Sequence, residues 1–241
     1  SGFTRQDFMR PIVRGPIPAV DGQAMTFNNY SEAKKPLIER LGDYCSYCEM
    51  PCNEGPDVEH IQPKSLRPEL ERDWTNFVVS CVFCNTVKGS TPVVLEAYLW
   101  PDRDNTFRSF IYERDRAPEP SVELGSLIKF LARSTLDLVG LNREPGNPRL
   151  TKNDRRWQKR KDAWGRANLA RDCLQSQPSE EMRTRVVLNA TSTGFWSVWM
   201  TVFAPDPDMI RRLLNARNFP GPCVACFDQN LRPIAREGGL C

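Results

Sequence analysis

Two C-x-x-C pairs, Cys45/Cys48 and Cys81/Cys84, bracket the only histidine of this 241-residue chain, His60. Four thiolates at this spacing can close one tetrahedral zinc site, which ties the two knuckles together whatever lies between them. The stretch so held carries Val58-Glu59-His60-Ile61-Gln62-Pro63-Lys64. Buried thiols packed as small hydrophobes would explain the same four residues, but not their pairing. Cys52 is an unpaired extra. Cys223 and Cys226 form a third C-x-x-C with no second pair, read here as two free thiols in a Pro-rich loop.

Composition sets the class. Hydrophobic residues make up 40% of the chain and charged residues 26%, as in a water-soluble globular protein. No run of about 18 apolar residues exists to span a membrane, and the N-terminus lacks the apolar core of a signal peptide. Nine cysteines are an odd number, and without a secretory signal they fit bound zinc in a reducing cytoplasm better than a disulfide framework. The net charge of +3 hides an asymmetry. Residues 1–120 hold 14 Lys/Arg against 18 Asp/Glu, and residues 121–241 hold 19 against 12. The basic half would attract a polyanion while the acidic half supplies oxygen ligands.

Periodicity predicts a helix from Tyr30 to Leu41, capped by Ser31 and ended by Gly42. A short strand around Val58–Ile61 and a second segment, Trp74–Val79, precede the second knuckle, and a helix begins at Asn85-Thr86-Val87-Lys88. The Pro/Gly-rich opening through Ala19 reads as extended. A strand through Phe107–Tyr112 leads to a Pro-rich boundary at Ala117–Pro120. Helices are expected over Leu124–Leu141, Asp154–Leu174 and Met209–Ala216, and Val186–Phe203, with Gly194 interrupting it, is apolar enough to be core. The fold class expected is α+β, with a domain at 1–118 built around the cysteine-bracketed motif (core 40–90) and a mainly helical, basic accessory region at 119–241.

The bracketed residues suit phosphodiester hydrolysis, which needs a base for water, a cation to offset charge, and ligands for that cation. His60 can be neutral near pH 7 and so serve as the base. Glu59 precedes it, so on a regular strand the two side chains leave opposite faces, and a bulge or irregular twist is needed for both to serve one site. Asn85 offers an oxygen ligand, and Lys88, three residues on, shares its helix face and could contact the phosphate. Lys64, Arg155, Arg156, Lys159, Arg160 and Lys161 are candidates for nucleic-acid contact. For the run on the long helix, a solvated face with Trp157 and Trp164 buried explains the pattern equally well.

Cys45-x-x-Cys48, Glu59-His60-Ile61-x-Pro63, Asn76 and Cys81-x-x-Cys84-Asn85-x-x-Lys88 together resemble the HNH (ββα-metal) endonuclease superfamily in its zinc-stapled version. Gly42–Glu49 and Tyr98–Asn105 are similar to bacterial HNH proteins of anti-phage defence, including the nuclease subunit of Septu- and retron-type systems that partners an ATPase. The resemblance implies a structural zinc on the four cysteines, with His60 as general base and Asn76 pinning a loop and orienting the histidine. It further implies that Glu59 and Asn85 hold a catalytic Mg²⁺ or Mn²⁺. Many members have Asp at the Glu59 position and His at the Asn85 position; oxygen ligands at both suit a hard ion. The expected activity is endonucleolytic, on DNA rather than RNA. Two rivals remain: a non-catalytic zinc-ribbon module that docks nucleic acid or protein, and a nuclease subunit silent until an ATPase partner binds.

Overall fold

A computed structural model of the chain describes residues 9–53 and 55–241, so part of the expected extended opening lies outside the described residues. Among the described residues, three two-stranded antiparallel sheets and seven α-helices follow one another. The fold is α+β, as the sequence implies. β1 (Ala19–Val20) and β2 (Gln23–Ala24) form an exposed hairpin. A 3₁₀ turn from Tyr30 then runs into α1 (Lys34–Leu41). The cap is Asn29, two residues before the expected Ser31: its Oδ1 accepts from the Ser31 amide at 2.9 Å, as short Asx side chains do at helix starts.

β3 (Asp57–His60) and β4 (Phe77–Ser80) pair antiparallel in the register Asp57↔Ser80, Val58↔Val79, Glu59↔Val78 and His60↔Phe77. Trp74–Asn76 is a 3₁₀ turn rather than strand, because Asp73 accepts from the Thr75 amide and turns the chain before β4 begins. α2 (Val82–Lys88) starts three residues sooner than the sequence suggests. Its N-cap is Cys81, whose Sγ accepts from the Cys84 amide at 3.5 Å, so one thiol both belongs to a knuckle and starts a helix.

β5 (Phe110–Ile111) and β6 (Glu119–Pro120) form the third hairpin. The helical second half follows as α3 (Ser126–Val139), α4 (Arg156–Ser176), α5 (Glu180–Thr193), α6 (Trp196–Val202) and α7 (Pro207–Leu214). The apolar run Val186–Phe203 is thus two helices, broken at Gly194 (φ +70). A Cβ on Gly194 would lie 2.6 Å from Pro51 Cδ and 2.8 Å from the Glu49 carbonyl. That glycine lets the second half close onto the first knuckle.

Buried side chains of both halves make one hydrophobic cluster, from Leu37, Phe77 and Trp100 to Trp196, Trp199 and Leu213. A buried carboxylate ties the halves further. Glu49 accepts from the Arg10 amide at 2.6 Å, from the Ser197 amide at 2.8 Å and from the Ser197 hydroxyl, at the N-terminus of α6. An anion there is favoured by the unsatisfied amides of the first helical turn, while burial still pushes the Glu49 pKa up.

Candidate active site and cysteine cluster

The four knuckle sulfurs are all buried and lie within 4.8 Å of one another. Cys48 Sγ and Cys81 Sγ are 3.7 Å apart, close to the edge of about 3.8 Å that a tetrahedron with Zn–S bonds of about 2.3 Å requires. The Cys48 and Cys84 amides point at Cys45 Sγ and Cys81 Sγ, each at 3.5 Å. Burial pushes the Cys48 and Cys84 thiols well up, whereas in Cys45 the surrounding thiols, through hydrogen bonds from Cys48, Cys81 and Cys84, outweigh that same burial and hold it well below the usual range. Four sulfurs gathered in a dry interior are a closed donor set that fits a structural zinc.

Arg156 completes this cluster from α4, 72 residues away in sequence. Its Nη1 donates to Cys84 Sγ at 3.0 Å and to the Val139 carbonyl at 2.8 Å, its Nη2 to the Gly140 carbonyl at 3.1 Å, and Asp154 pairs with Nη2 at 2.7 Å. Burial alone would lower the Arg156 pKa, but Asp154 and the thiolates raise it. The side chain is 3% exposed. The phosphate contact expected of Arg156 is therefore not available: its donors are spent inside the protein. Arg160, one turn further, is also buried, with its guanidinium 5.4 Å from the Tyr112 ring centroid. Arg155, Lys159 and Lys161 are exposed, the last paired with Asp115 at 2.7 Å. Lys64 is partly exposed, 3.5 Å from Glu71 Oε1 and over the Tyr30 ring at 3.9 Å.

The β3–β4 pairing is regular, so the alternation of side chains decides where Glu59 and His60 go. No bulge brings them together, and each meets its own partners. His60 packs edge-on to Tyr30 at 4.9 Å and to Phe77 at 5.1 Å, and its Nε2 lies 2.9 Å from the Glu71 carbonyl. A carbonyl can only accept, so Nε2 carries the proton and Nδ1 holds the basic lone pair. Burial lowers the His60 pKa from its usual value, and Lys64 and Lys88 add to the effect.

Glu59 lies on the other face with Asp57, two residues earlier, toward α2. Lys88 Nζ sits 2.7 Å from Glu59 Oε1 and donates to the His60 carbonyl at 2.7 Å. At 1% exposure Lys88 is committed to this buried pair, and in this state it does not reach outward to a phosphate. Burial raises the Glu59 pKa to about 7, against the attraction of Lys88. Asn85 Nδ2 donates to Asp57 Oδ2 at 2.9 Å on the exposed edge. Asp57 is the residue that sequence reading missed, although its period-two spacing from Glu59 on a strand would have found it. The Glu71 carbonyl left no signal, because backbone groups carry none.

Asn76 joins both ends of the loop between the strands. Its Oδ1 accepts from the Gln62 amide at 2.8 Å, and its Nδ2 donates to the Gln62 carbonyl at 2.9 Å and the Leu70 carbonyl at 3.4 Å. The Leu70 end carries Glu71, the residue that holds His60. Among the described residues, no second cluster of three His, Cys, Asp or Glu ligands forms. Asp57 and Asn85 are bonded to each other at the exposed edge, whereas the Glu59 carboxylate, two residues further along β3, is held by Lys88.

A ββα unit with four clustered cysteines, and a Glu-His strand whose Glu faces an Asn-bearing helix, has the arrangement of an HNH-type module. Residues 45–91 match the family model of the HNH endonucleases. Within the chain, 85 residues are 34% identical to the Septu protein PtuB of Bacillus thuringiensis, a stretch that makes up 33% of this chain and 33% of that protein. The chain thus spans about a third of the length of the curated relative it matches.

Proposed function

We propose that the protein is a metal-dependent HNH endonuclease that hydrolyses phosphodiester bonds of DNA, in a bacterial anti-phage defence system. The observation that carries this reading is the geometry of His60: Nε2 lies 2.9 Å from the Glu71 carbonyl, which leaves Nδ1 with the lone pair of a base, and burial lowers the imidazole pKa. On this reading His60 takes the proton of the attacking water, and Asn76 keeps the Glu71 end of the loop where it fixes the imidazole. The four cysteines would hold zinc as a structural staple. Asp57, Glu59 and Asn85 would hold a Mg²⁺ or Mn²⁺ that supplies positive charge when bound; because Glu59 and His60 leave β3 on opposite faces, the end of the strand would have to twist for both to serve one phosphate. Lys88 offsets the Glu59 charge meanwhile and anchors the His60 backbone.

The likeness to the Septu protein, together with the Gly42–Glu49 and Tyr98–Asn105 segments, supports a defence role alongside a partner ATPase. Residues 1–118 would carry the chemistry and residues 119–241 substrate or partner contact. In cells the cytoplasm is the compartment proposed, since free thiols persist there; no described helix is long and apolar enough to cross a membrane. Incubating the purified chain with plasmid and with RNA, with and without Mg²⁺ or Mn²⁺, tests the reading. Metal-dependent nicking or linearisation of plasmid is expected. Binding without cleavage of either substrate under any condition would favour the zinc-ribbon docking module instead.

A further inference from the structure

Apart from the ββα unit, the β5–β6 hairpin, the α3–α4 connection and α4 enclose a cavity of about 290 Å³. Its lining includes four cationic side chains, Arg114, Arg116, Arg160 and Lys161, and one large aromatic, Trp157, which is only partly buried. Two carboxylates also line it, and both are engaged: Glu144 accepts from the Ala117 amide at 2.6 Å, and Asp115 pairs with Lys161 at 2.7 Å.

Arg160 is the unusual member. It is 4% exposed, yet among the described residues it has neither an ion pair nor a hydrogen bond, only the Tyr112 ring beneath its guanidinium. One turn earlier Arg156 shows what a settled buried arginine looks like, with Asp154, two carbonyls and a sulfur around it. Glu144 attracts this guanidinium without a bonded contact, and a buried cation with no bonded anion is costly; its planar set of five donors facing a cavity matches phosphate oxygens. The Tyr112 ring, 5.4 Å from Cζ, holds the cation over its face, which lowers the entropy lost on binding.

We propose that this cavity binds a nucleotide bearing a terminal phosphate, with the phosphate on Arg160, Arg114 and Arg116 and the base against Trp157. The size admits one mononucleotide and excludes a duplex. A phosphate among several guanidiniums gains bidentate, charge-assisted bonds, and an indole offers the stacking surface that nucleobases use. The shared chemistry could come from a free nucleotide or from the 5′-terminal nucleotide of a DNA strand. Neither source requires the catalytic residues, so this inference stands apart from the cleavage reading.

Calorimetric titration without added Mg²⁺ or Mn²⁺ separates the two readings, since no cleavage occurs. The probes are nucleoside monophosphates, the corresponding nucleosides, and a hexamer oligonucleotide with and without a 5′-phosphate. Monophosphates should bind at least about tenfold more tightly than nucleosides, and R160Q or the rim double variant R114A/R116A should each weaken them by at least about tenfold. A phosphorylated hexamer that binds more tightly than the monophosphates assigns the strand end as ligand, and the reverse assigns the free nucleotide. Equal binding of nucleosides and monophosphates would overturn the proposal, as would no binding of any probe at millimolar concentration. If R160Q does not fold, judged by helical circular dichroism and zinc content, the rim variant decides. Unchanged monophosphate affinity in that variant would then overturn it.

Discussion

At the residue scale, Lys88 and Glu59 stand out as a buried pair of opposite charge. Each is buried, and together they hold one ion pair 2.7 Å long beside the strand that carries His60. Breaking a buried pair by removing one partner typically costs about 3–5 kcal/mol, because the other charge is left without compensation. Glu59 can escape part of that cost by taking a proton. Its folded pKa is raised to about 7 by burial, so its stabilising share is full below the unfolded value of about 4.3 and is lost as the pH rises through about 7. K88M should therefore lose more stability at about pH 8.5 than at about pH 5, measured as urea midpoints of both proteins. An equal loss at both would mean that Glu59 is not the group left uncompensated. His60 makes a second test. Burial holds it below about 6.5, so with the divalent ion saturating, cleavage should hold its rate down to that pH and fall only beneath it. A rate that already falls near pH 7 would hand control to Glu59.

At the scale of elements, the link between α4 and α2 matters most. The Arg156 guanidinium donates to Cys84 Sγ and is itself held by Asp154 and two carbonyls at the end of α3. Groups that bond metal ligands from outside typically change metal affinity about 10–100-fold. R156M should release zinc to a colorimetric chelator correspondingly faster than wild type, at equal helical content. Release at the wild-type rate would show that the guanidinium does not support the thiolates. The four cysteines, His60 and the order strand, strand, helix were all legible from spacing and period, because they are local patterns. Arg156 was not. In sequence it reads as one more cation on a basic helix, and only the fold reveals that its neighbour is a sulfur 72 residues away. The interruption at Gly194 was legible as a glycine within an apolar run, but its reason, the close approach of Pro51 and Glu49, was not.

Across the whole molecule, charge is unevenly shared: 14 basic against 18 acidic residues up to position 120, and 19 against 12 beyond it. Binding of a polyanion by the second half would rest on its exposed cations, and the burial of Arg156 and Arg160 reduces the helical set to Arg155, Lys159 and Lys161. Each phosphate neutralised on duplex DNA contributes about 0.9 to the slope of log affinity against log salt. Replacing these three with alanine should flatten that slope by about two to three units, read from fluorescence anisotropy at several salt concentrations. An unchanged slope would place this face against solvent or a protein partner. Binding and chemistry need not be loosely connected for such a division, since Glu49, Arg156 and Gly194 join the halves through buried contacts.

The central claim is that His60 is the base of an HNH nuclease, and the most direct measurement is the single-turnover rate of plasmid cleavage by wild type and H60A in Mg²⁺ or Mn²⁺. His60 is the only histidine, so no other imidazole can substitute. The account predicts wild-type cleavage and a loss of ~10²–10⁴ in the variant, with zinc content and fold unchanged. Cleavage by H60A at the wild-type rate would contradict it.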